Sequence, residues 1–299
     1  MTLTLEAHGY TLMLAPENGG CVTKLSKSNV DILRMSPDGE ADPVELSAFP
    51  MVPFSGRIAG GRFSWAETEH VLTANFPPEP HSIHGVAWQD RWNVVGMNSE
   101  STTLQYKYRE NDWPWWFDAT QAFTLHPWGL ELNMAIHNRS HSPMPAGLGW
   151  HPYFPSKNAL INCVTDSILV NGPDMIPQQR LPVSVENDLR RPRRVESLDL
   201  DNAYRVLPAG AERLPQQPEE YLHVLTWPDR TVTLQCSAVL STVVVYSPPG
   251  MGFFCVEPAS HPPNAINSEP DNLHRLLPGD SLQARIALSV TMREAQSTA

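Results

Sequence analysis

Apolar and polar residues alternate with a period of two through long segments of this 299-residue chain. In the clearest segment the polar residues Gln283, Arg285 and Thr291 face one way. The apolar residues that face the other way are Leu282, Ala284, Ile286, Leu288, Val290 and Met292. Successive side chains of a strand point to opposite sides, so this pattern is typical of strands with one buried and one solvated face. We therefore predict a strand over residues 282–292 and similar strands over 104–108, 130–136 and 231–236.

Helices are expected to be few and short, because no window of about a dozen residues has a clear period of 3.6. Strands that follow one another without intervening helices predict antiparallel sheets, and hence an all-β sandwich or barrel. We expect one domain over residues 1–294 and a disordered tail at 295–299. The Pro- and Arg-rich segment 173–218 has little periodicity, and we interpret it as a long irregular excursion over one face of that domain.

The composition narrows the classes of partner. A net charge of −11 and a pI of about 5.4 argue against nucleic acid and anionic membrane, since both require clustered Lys and Arg. The N-terminal segment has no basic and apolar signal-peptide pattern, and no apolar run approaches the roughly 18 residues of a membrane span. The four cysteines form no Cys-x-x-Cys pair, and Cys236 and Cys255 lie in apolar runs typical of a core. These features predict a cytoplasmic protein.

A carboxylate follows an apolar run in residues 253–258, whose sequence is FFCVEP. Partial burial of Glu257 in such a strand raises the pKa of its carboxyl and makes it a better base near neutral pH. The alternative is a strand-end Glu that caps a loop or pairs with an arginine.

A histidine lies among aromatic residues and glycines in residues 147–155, whose sequence is GLGWHPYFP. His151 in this setting is unlike a solvated surface histidine, and the flanking glycines allow close approach to the backbone. Apolar surroundings disfavour its charged form, although a nearby carboxylate opposes that effect. The alternative is a core histidine whose ring is satisfied by a backbone carbonyl.

Three further groups are candidates for binding. Arg57 lies between a turn and a Gly-Gly pair, where it either forks onto vicinal hydroxyls or forms a structural ion pair. His81 and His84 have a spacing that puts them on opposite faces of a strand, so joint metal ligation requires a turn, and no metal is expected. Asp201 offers a carboxylate in the irregular segment, and alone it indicates only a turn.

Taken together and in this order, the segments resemble those of the aldose 1-epimerase (galactose mutarotase) family. RIAGGRF at 57–63 is similar to that family's Asn-Arg-Ile-x-x-Gly-x-Phe, and IHG at 83–85 is similar to its Leu-His-Gly. HPYF at 151–154 is similar to its His-x-Tyr-Phe. LDNAY at 200–204 and VEP at 256–258 are similar to its Asp-x-x-Phe/Tyr and Glu-Pro elements.

The resemblance implies a large antiparallel β-sandwich, the galactose mutarotase-like supersandwich, with an open sugar cleft on one face. It implies that Glu257 is the base and His151 the acid in the exchange of α and β anomers of a free monosaccharide. It also implies that Arg57, His84 and Tyr153, together with Asp201, bind hydroxyls or position the acid and base. Mutarotation moves only protons, so no metal or organic cofactor is expected.

The chain departs from the family pattern around the expected sugar. Gly56 stands where the family has Asn, Val86 where a second Gly often follows His-Gly, and Pro155-Ser156 where Asn-Leu is usual. The sugar, its ring size and the oligomeric state therefore stay open. The alternatives are a hexose-6-phosphate mutarotase that uses Arg62 or the arginines of residues 190–194, a glycoside hydrolase, and a non-catalytic carbohydrate-binding module.

Overall fold

A computed structural model describes residues 2–37, 39, 41–109, 112–207, 220–269 and 273–293, in which β-strands, numbered β1 to β26 in chain order, predominate. Eleven strands form the larger sheet: β1 (Leu3–Ala7), β2 (Tyr10–Ala15), β3 (Cys21–Lys27), β4 (Val30–Asp31), β5 (Ala48–Met51), β15 (Gly149–Pro155), β17 (Thr165–Asn171), β18 (Pro177–Pro182), β20 (Leu200–Val206), β23 (Thr242–Ser247) and β24 (Phe253–Ala259). Nine strands form the second sheet: β10 (Asn93–Met97), β11 (Ser101–Tyr108), β12 (Phe117–His126), β13 (Gly129–Asn138), β16 (Leu160–Cys163), β19 (Arg193–Arg194), β21 (Glu220–Thr226), β22 (Arg230–Ser237) and β26 (Ser281–Met292).

The other described elements are small. Three two-stranded sheets pair β6 (Arg57–Ile58) with β9 (Ser82–Ile83), β7 (Arg62–Trp65) with β8 (Thr68–Val71), and β14 (Met144–Ala146) with β25 (His274–Leu276). The helices are α1 (Ala265–Ser268) and 3-10 turns at Pro43–Glu45, Ala59–Gly61, Ala87–Gln89 and Val195–Ser197. The prediction of few, short helices is confirmed. No helix within the described ranges combines the length and apolar composition needed to cross a membrane.

Both large sheets are antiparallel, as the sequence predicts. The larger has the order β1-β2-β3-β5-β15-β24-β23-β20-β17-β18, with β4 paired to β3. The second has the order β10-β11-β12-β13-β26-β22-β21-β16-β19. Strands from distant parts of the chain are thus neighbours at the centre of each sheet.

The alternating pattern produces a sandwich. In β26, every predicted inward position from Leu282 to Val290 is buried. One continuous apolar core contains Leu12 and Phe154 from the larger sheet with Phe123 and Leu288 from the second sheet. The apolar faces of the two sheets therefore pack against each other, and the predicted all-β sandwich is confirmed.

The segment 173–218 is more regular than expected. It contains β18, β19 and β20, and β20 pairs with both β17 and β23 inside the larger sheet. The prediction of one long irregular excursion is therefore wrong where these strands lie. Asp201 and Asn202 interrupt the apolar pattern of β20, whereas Ala203 and Tyr204 are buried. The predicted tail and residues 208–219 lie outside the described residues, and the single domain over 1–294 stays a prediction.

A buried histidine in the second sheet makes stability depend on pH. His223 on β21 is fully buried, and neither ring nitrogen has a hydrogen-bond partner in the described chain. Burial lowers the pKa of His223 from 6.5 to about 4. Because folding lowers this pKa, the stability that His223 contributes is full above pH 6.5 and is lost as the pH falls toward 4.

We expect His223→Leu to reduce the acid sensitivity of folding. The variant should lose about 2–3 kcal/mol less free energy of unfolding than the wild type between pH 7 and pH 4.5, because no buried imidazole then competes for a proton. Urea unfolding at the two pH values measures this difference. The exposed His141→Leu serves as the control, and equal losses in the wild type and in His223→Leu would contradict the prediction.

Candidate active site

One face of the larger sheet forms the floor of a cleft. Residues directly opposite one another in an antiparallel sheet have side chains on the same side. Phe49 on β5 pairs with His151 on β15, Glu257 on β24 pairs with Val244 on β23, and Val244 pairs with Ala203 on β20. The register that pairs Gly149 with Ala259 and Tyr153 with Cys255 sets His151 opposite Glu257. These pairings form a cross-strand row: Phe49, His151, Glu257, Val244 and Ala203.

A second row lies beside the first on the same face. Tyr153 pairs with Cys255, Cys255 with Tyr246, and Tyr246 with Asp201. The two rows are two residues apart on each strand, so they share one side of the sheet. Side chains that alternate with them, among them Trp150, Phe154, Phe254 and Val256, belong to the core between the sheets. The pleat of the strands therefore separates a face that lines the cleft from a face that packs in the core.

His151 and Glu257 are in direct contact on this floor. The ring nitrogen Nε2 of His151 is 3.2 Å from Oε1 of Glu257, and both side chains are less than a tenth exposed. The β15–β24 ladder is interrupted between the pairs Gly149–Ala259 and Tyr153–Cys255, where Pro152 and Pro258 have no amide hydrogen to donate.

Burial shifts the pKa values of the two groups in opposite directions. Removal from water raises the pKa of Glu257 well above its usual 4.5, with the carboxylate of Asp201 adding to the rise and the guanidinium of Arg57 opposing it. Burial also lowers the pKa of His151 to about 3, and Arg34 adds to the decrease. Both shifts favour uncharged groups. The state they favour is the carboxylic acid of Glu257 beside the neutral imidazole of His151, so the pair shares one titratable proton.

Aromatic contacts fix the plane of the His151 ring. Phe49 stacks with its ring centroid 4.4 Å from that of His151, and Tyr153 stacks at 4.7 Å. The guanidinium of Arg34 lies 3.7 Å from the centroid of the Tyr153 ring, and it donates hydrogen bonds to the carbonyls of Val44 and Leu46. These contacts restrict rotation of the imidazole.

The first wall of the cleft carries an ion pair. Arg57 on β6 donates from Nε to Oε2 of Glu79 at 2.9 Å. Among the described residues, its two Nη groups have no hydrogen-bond partner, and Arg57 lines the cleft. Glu79 therefore holds the guanidinium by one edge and leaves the other edge available to a ligand.

His84 is positioned by a turn that follows β9. His84 and Gly85 have φ values of 58° and 74°. A side chain at Gly85 would lie 2.1 Å from the carbonyl oxygen of Val52, so only glycine fits. The amide of Gly56 donates to Nδ1 of His84 at 3.2 Å. Burial lowers the pKa of His84 well below 6.5, with His151 and Arg57 adding to the decrease, so the ring is neutral and Nε2 carries the hydrogen.

Asp201 offers a carboxylate on the floor near Arg57. Burial raises the pKa of Asp201, Arg57 opposes the rise and Glu79 adds to it. The backbone of Asp201 is fixed because its carbonyl accepts a hydrogen bond from the side chain of Asn171 at 2.7 Å. A guanidinium beside a carboxylate is an arrangement that can bind neighbouring hydroxyl groups.

All six side chains singled out from the sequence line one cleft of about 320 Å³: Arg57, His84, His151, Tyr153, Asp201 and Glu257. Their individual roles stay predictions. Sequence reasoning missed Glu79 and Arg34, because Glu79 lies in a proline-rich loop and Arg34 at the end of an apolar run, where neither stands out. It also missed Cys255 as a neighbour of the pair, although its position two residues before Glu257 in a strand could have shown it.

The structure separates His81 from His84. His81 accepts at Nδ1 from the amide of Gly60, and its Nε2 is 3.0 Å from the carbonyl oxygen of Asp174. A turn lies at His84, but the rings of the two histidines are held by different backbone groups. Among the tryptophans, Trp88 lines the cleft, whereas Trp113 and Trp150 lie in the core.

Comparison with known proteins adds to this geometry. A family model described as "Aldose 1-epimerase" matches residues 1–289. The Escherichia coli (strain K12) protein described as "Uncharacterized protein YphB" is 26% identical over 296 residues, 97% of this chain and 99% of that protein. The fold is similar to that of a galactose mutarotase-like protein from Clostridium acetobutylicum, with a TM-score of 0.85 and 17% identity over 98% of this chain and 95% of that chain. It is also similar to that of a GalM/aldose epimerase homologue from C. elegans, with a TM-score of 0.80 and 17% identity over 98% and 99%.

Proposed function

Because this chain belongs to the aldose 1-epimerase family, we propose that it interconverts the α and β anomers of a free aldose. The observation that carries the proposal is the 3.2 Å contact between the imidazole of His151 and the carboxylate of Glu257. The contact lies in a cleft of about 320 Å³. That volume is near the lower end of the roughly 300–1,000 Å³ of small-molecule pockets, which suits a monosaccharide.

Anomer exchange requires two proton transfers. One proton leaves the anomeric hydroxyl while another reaches the ring oxygen, so the ring opens to the aldehyde. The C1–C2 bond then rotates, and the ring closes on the other face with both transfers reversed. No atom changes oxidation state and no covalent bond to the enzyme forms. A base and an acid on the two sides of the C1–O5 edge are therefore sufficient, without a metal or organic cofactor.

In this proposal Glu257 takes the hydroxyl proton and His151 delivers a proton to the ring oxygen. The pair holds one proton throughout, as carboxylate and imidazolium before ring opening and as carboxylic acid and imidazole afterwards. In water the charged forms are favoured, but burial raises the pKa of Glu257 and lowers that of His151. These shifts favour the uncharged form, so the carboxylate and imidazolium from which the ring opens are the minor form of the buried pair.

The remaining cleft residues position the sugar. The free edge of Arg57 and the carboxylate of Asp201 bind neighbouring hydroxyls, and Nε2 of His84 donates a further hydrogen bond. Tyr153 packs on His151 at a centroid distance of 4.7 Å and keeps the acid aligned. A sugar fixed in this way is already aligned with the acid and the base, so the proton transfers proceed as if within one molecule.

We expect Glu79→Gln to raise KM about tenfold, equivalent to about 1.4 kcal/mol, and to change kcat by less than about threefold. Without the Glu79 charge, Arg57 turns toward Asp201, and both groups become less available to hydroxyls. Initial rates over a range of sugar concentration separate the two constants. Glu69→Gln, which removes an exposed carboxylate bonded to Ser64, serves as the control. A kcat loss at unchanged KM would contradict this role.

An uncharged sugar fits the cleft better than a sugar phosphate. Arg57 is the sole Lys or Arg among the described residues that line the cleft, and it is already paired with Glu79. Arg62 is exposed on β7. Arg190 pairs with Asp188, and Arg193 donates to backbone carbonyls. Initial rates with glucose and with glucose 6-phosphate test this preference for an uncharged sugar. A higher kcat/KM for glucose 6-phosphate would contradict it.

The decisive experiment follows freshly dissolved α-galactose and α-glucose by polarimetry or NMR. The purified protein should speed relaxation to the anomeric equilibrium in proportion to its concentration. A sugar that raises the melting temperature while relaxation keeps its spontaneous rate would instead indicate a non-catalytic carbohydrate-binding module.

A further inference from the structure

A thiol lies beside the acid–base pair on the same face of the sheet. Cys255 and Glu257 alternate on β24, so both side chains point toward the cleft side. His151, Cys255 and Glu257 each offer one ligand atom, and the three atoms lie within 4.8 Å of one another. Within the described part of the chain, they are the only such group of three His, Cys, Asp or Glu side chains.

The donor set and its spacing suit zinc. An imidazole nitrogen, a thiolate sulfur and a carboxylate oxygen are the three ligand types that zinc binds in proteins, at about 2.0–2.3 Å. Tetrahedral bonds of that length put neighbouring donors roughly 3.3–3.8 Å apart. The His151–Glu257 contact of 3.2 Å is already close to this separation. The sulfur needs to move by up to about 1.5 Å, a shift that side-chain rotation can supply.

The three donors have both acidic and basic neighbours. A metal that displaces the protons of Glu257 and Cys255 gains two negative charges, and the carboxylate of Asp201 interacts with both groups, while the guanidinium of Arg57 interacts with Glu257 and that of Arg34 with Cys255. The three donors lie on two adjacent strands of the larger sheet, β15 and β24. His151 and Glu257 line the cleft, which leaves a fourth position open to water or to a sugar hydroxyl.

We propose that His151, Cys255 and Glu257 form a zinc site that inhibits the enzyme. Binding replaces the thiol proton and the proton that the pair shares, so two protons pass to solvent for each zinc bound. The metal then occupies the lone pairs through which His151 and Glu257 exchange protons with the sugar. The inhibition rests on the proposed function, whereas the metal site itself does not.

Cobalt is the spectroscopic probe that tests the site independently of activity. Added to chelator-treated wild-type protein, Co²⁺ should give a near-ultraviolet thiolate-to-cobalt absorption band. The band should be absent in Cys255→Ala and present in Cys163→Ala, which removes another fully buried thiol. If Cys255→Ala does not fold, Cys255→Ser replaces it, since a serine gives no such band. An absent band in the wild type, or the same band in a folded Cys255 variant, overturns the site.

Zinc titration of anomer exchange tests the inhibition. Wild-type activity should fall as Zn²⁺ is added and return with a chelator, while the Cys255 variant should require at least about tenfold more zinc. Equal sensitivity of the two proteins overturns the proposed inhibition. A cobalt–thiolate band in a protein that shows no anomer exchange at all would keep the metal site and refute the epimerase function.

Discussion

Replacing Glu257 with glutamine is expected to lower kcat for anomer exchange by at least about two orders of magnitude. Glutamine has nearly the same shape but cannot accept the anomeric proton, and a single general base typically contributes about 10²–10⁴ in rate. The amide still occupies the space beside His151, so KM should change far less than kcat. Polarimetry with freshly dissolved α-anomer measures both constants.

Stability provides the control for the Glu257 variant. Folding raises the pKa of this carboxyl above its ordinary 4.5. The stability associated with Glu257 is therefore full below pH 4.5 and declines as the pH rises toward and through the folded value. Glutamine carries no charge at any pH, so the variant should melt at or above the wild-type temperature at pH 8. Exchange at the wild-type rate in a folded Glu257→Gln protein would assign the base to another group.

Replacing His151 with asparagine is the second change with a large expected effect, again a loss of at least about two orders of magnitude in kcat. Asparagine can donate a hydrogen bond to the ring oxygen but cannot transfer a proton to it near neutral pH. The variant therefore keeps part of the substrate contact and loses the acid. Rates measured by NMR line shapes or polarimetry at saturating sugar isolate this effect on kcat.

The His151 variant also needs a structural control. The wild-type ring stacks on Phe49 and on Tyr153, and its loss removes part of that packing. Circular dichroism and the melting temperature show whether the fold is retained, and His141→Asn on the surface reports any general effect of removing a histidine. If folded His151→Asn protein exchanges anomers as fast as the wild type, another group protonates the ring oxygen.

The alternation of apolar residues was sufficient to predict the sandwich. In β26 the polar positions interrupt a regular set of buried ones, and a strand with one wet face is the structure that satisfies both. The same reasoning failed for β20, because Asp201 and Asn202 interrupt the apolar pattern in a strand that other strands cover on both edges. A strand that carries part of a binding site breaks the local pattern by which strands are detected.

The candidate site was only partly accessible to sequence reasoning. His151 and Glu257 each stood out as a polar group in an apolar run. The order of the strands in the sheet, however, is set by the tertiary structure and cannot be read from these local patterns. Their contact depends on β15 and β24 being neighbours in one register. Glu79 could not have been foreseen, since its role comes from the spatial approach of Arg57. The residue types thus indicated acid–base chemistry, and the order of the strands places the two side chains in contact.

The position of β26 has a consequence for how the protein reaches its fold. This strand lies between β13 and β22, so Ile286 pairs with Leu132 on one side and with Cys236 on the other. Until residues 281–292 are in place, each of those neighbours exposes an unsatisfied edge that can pair with another molecule. Contacts so distant along the chain form slowly. Substitutions that weaken this strand should therefore lower the expression yield, even though it contributes no side chain to the cleft.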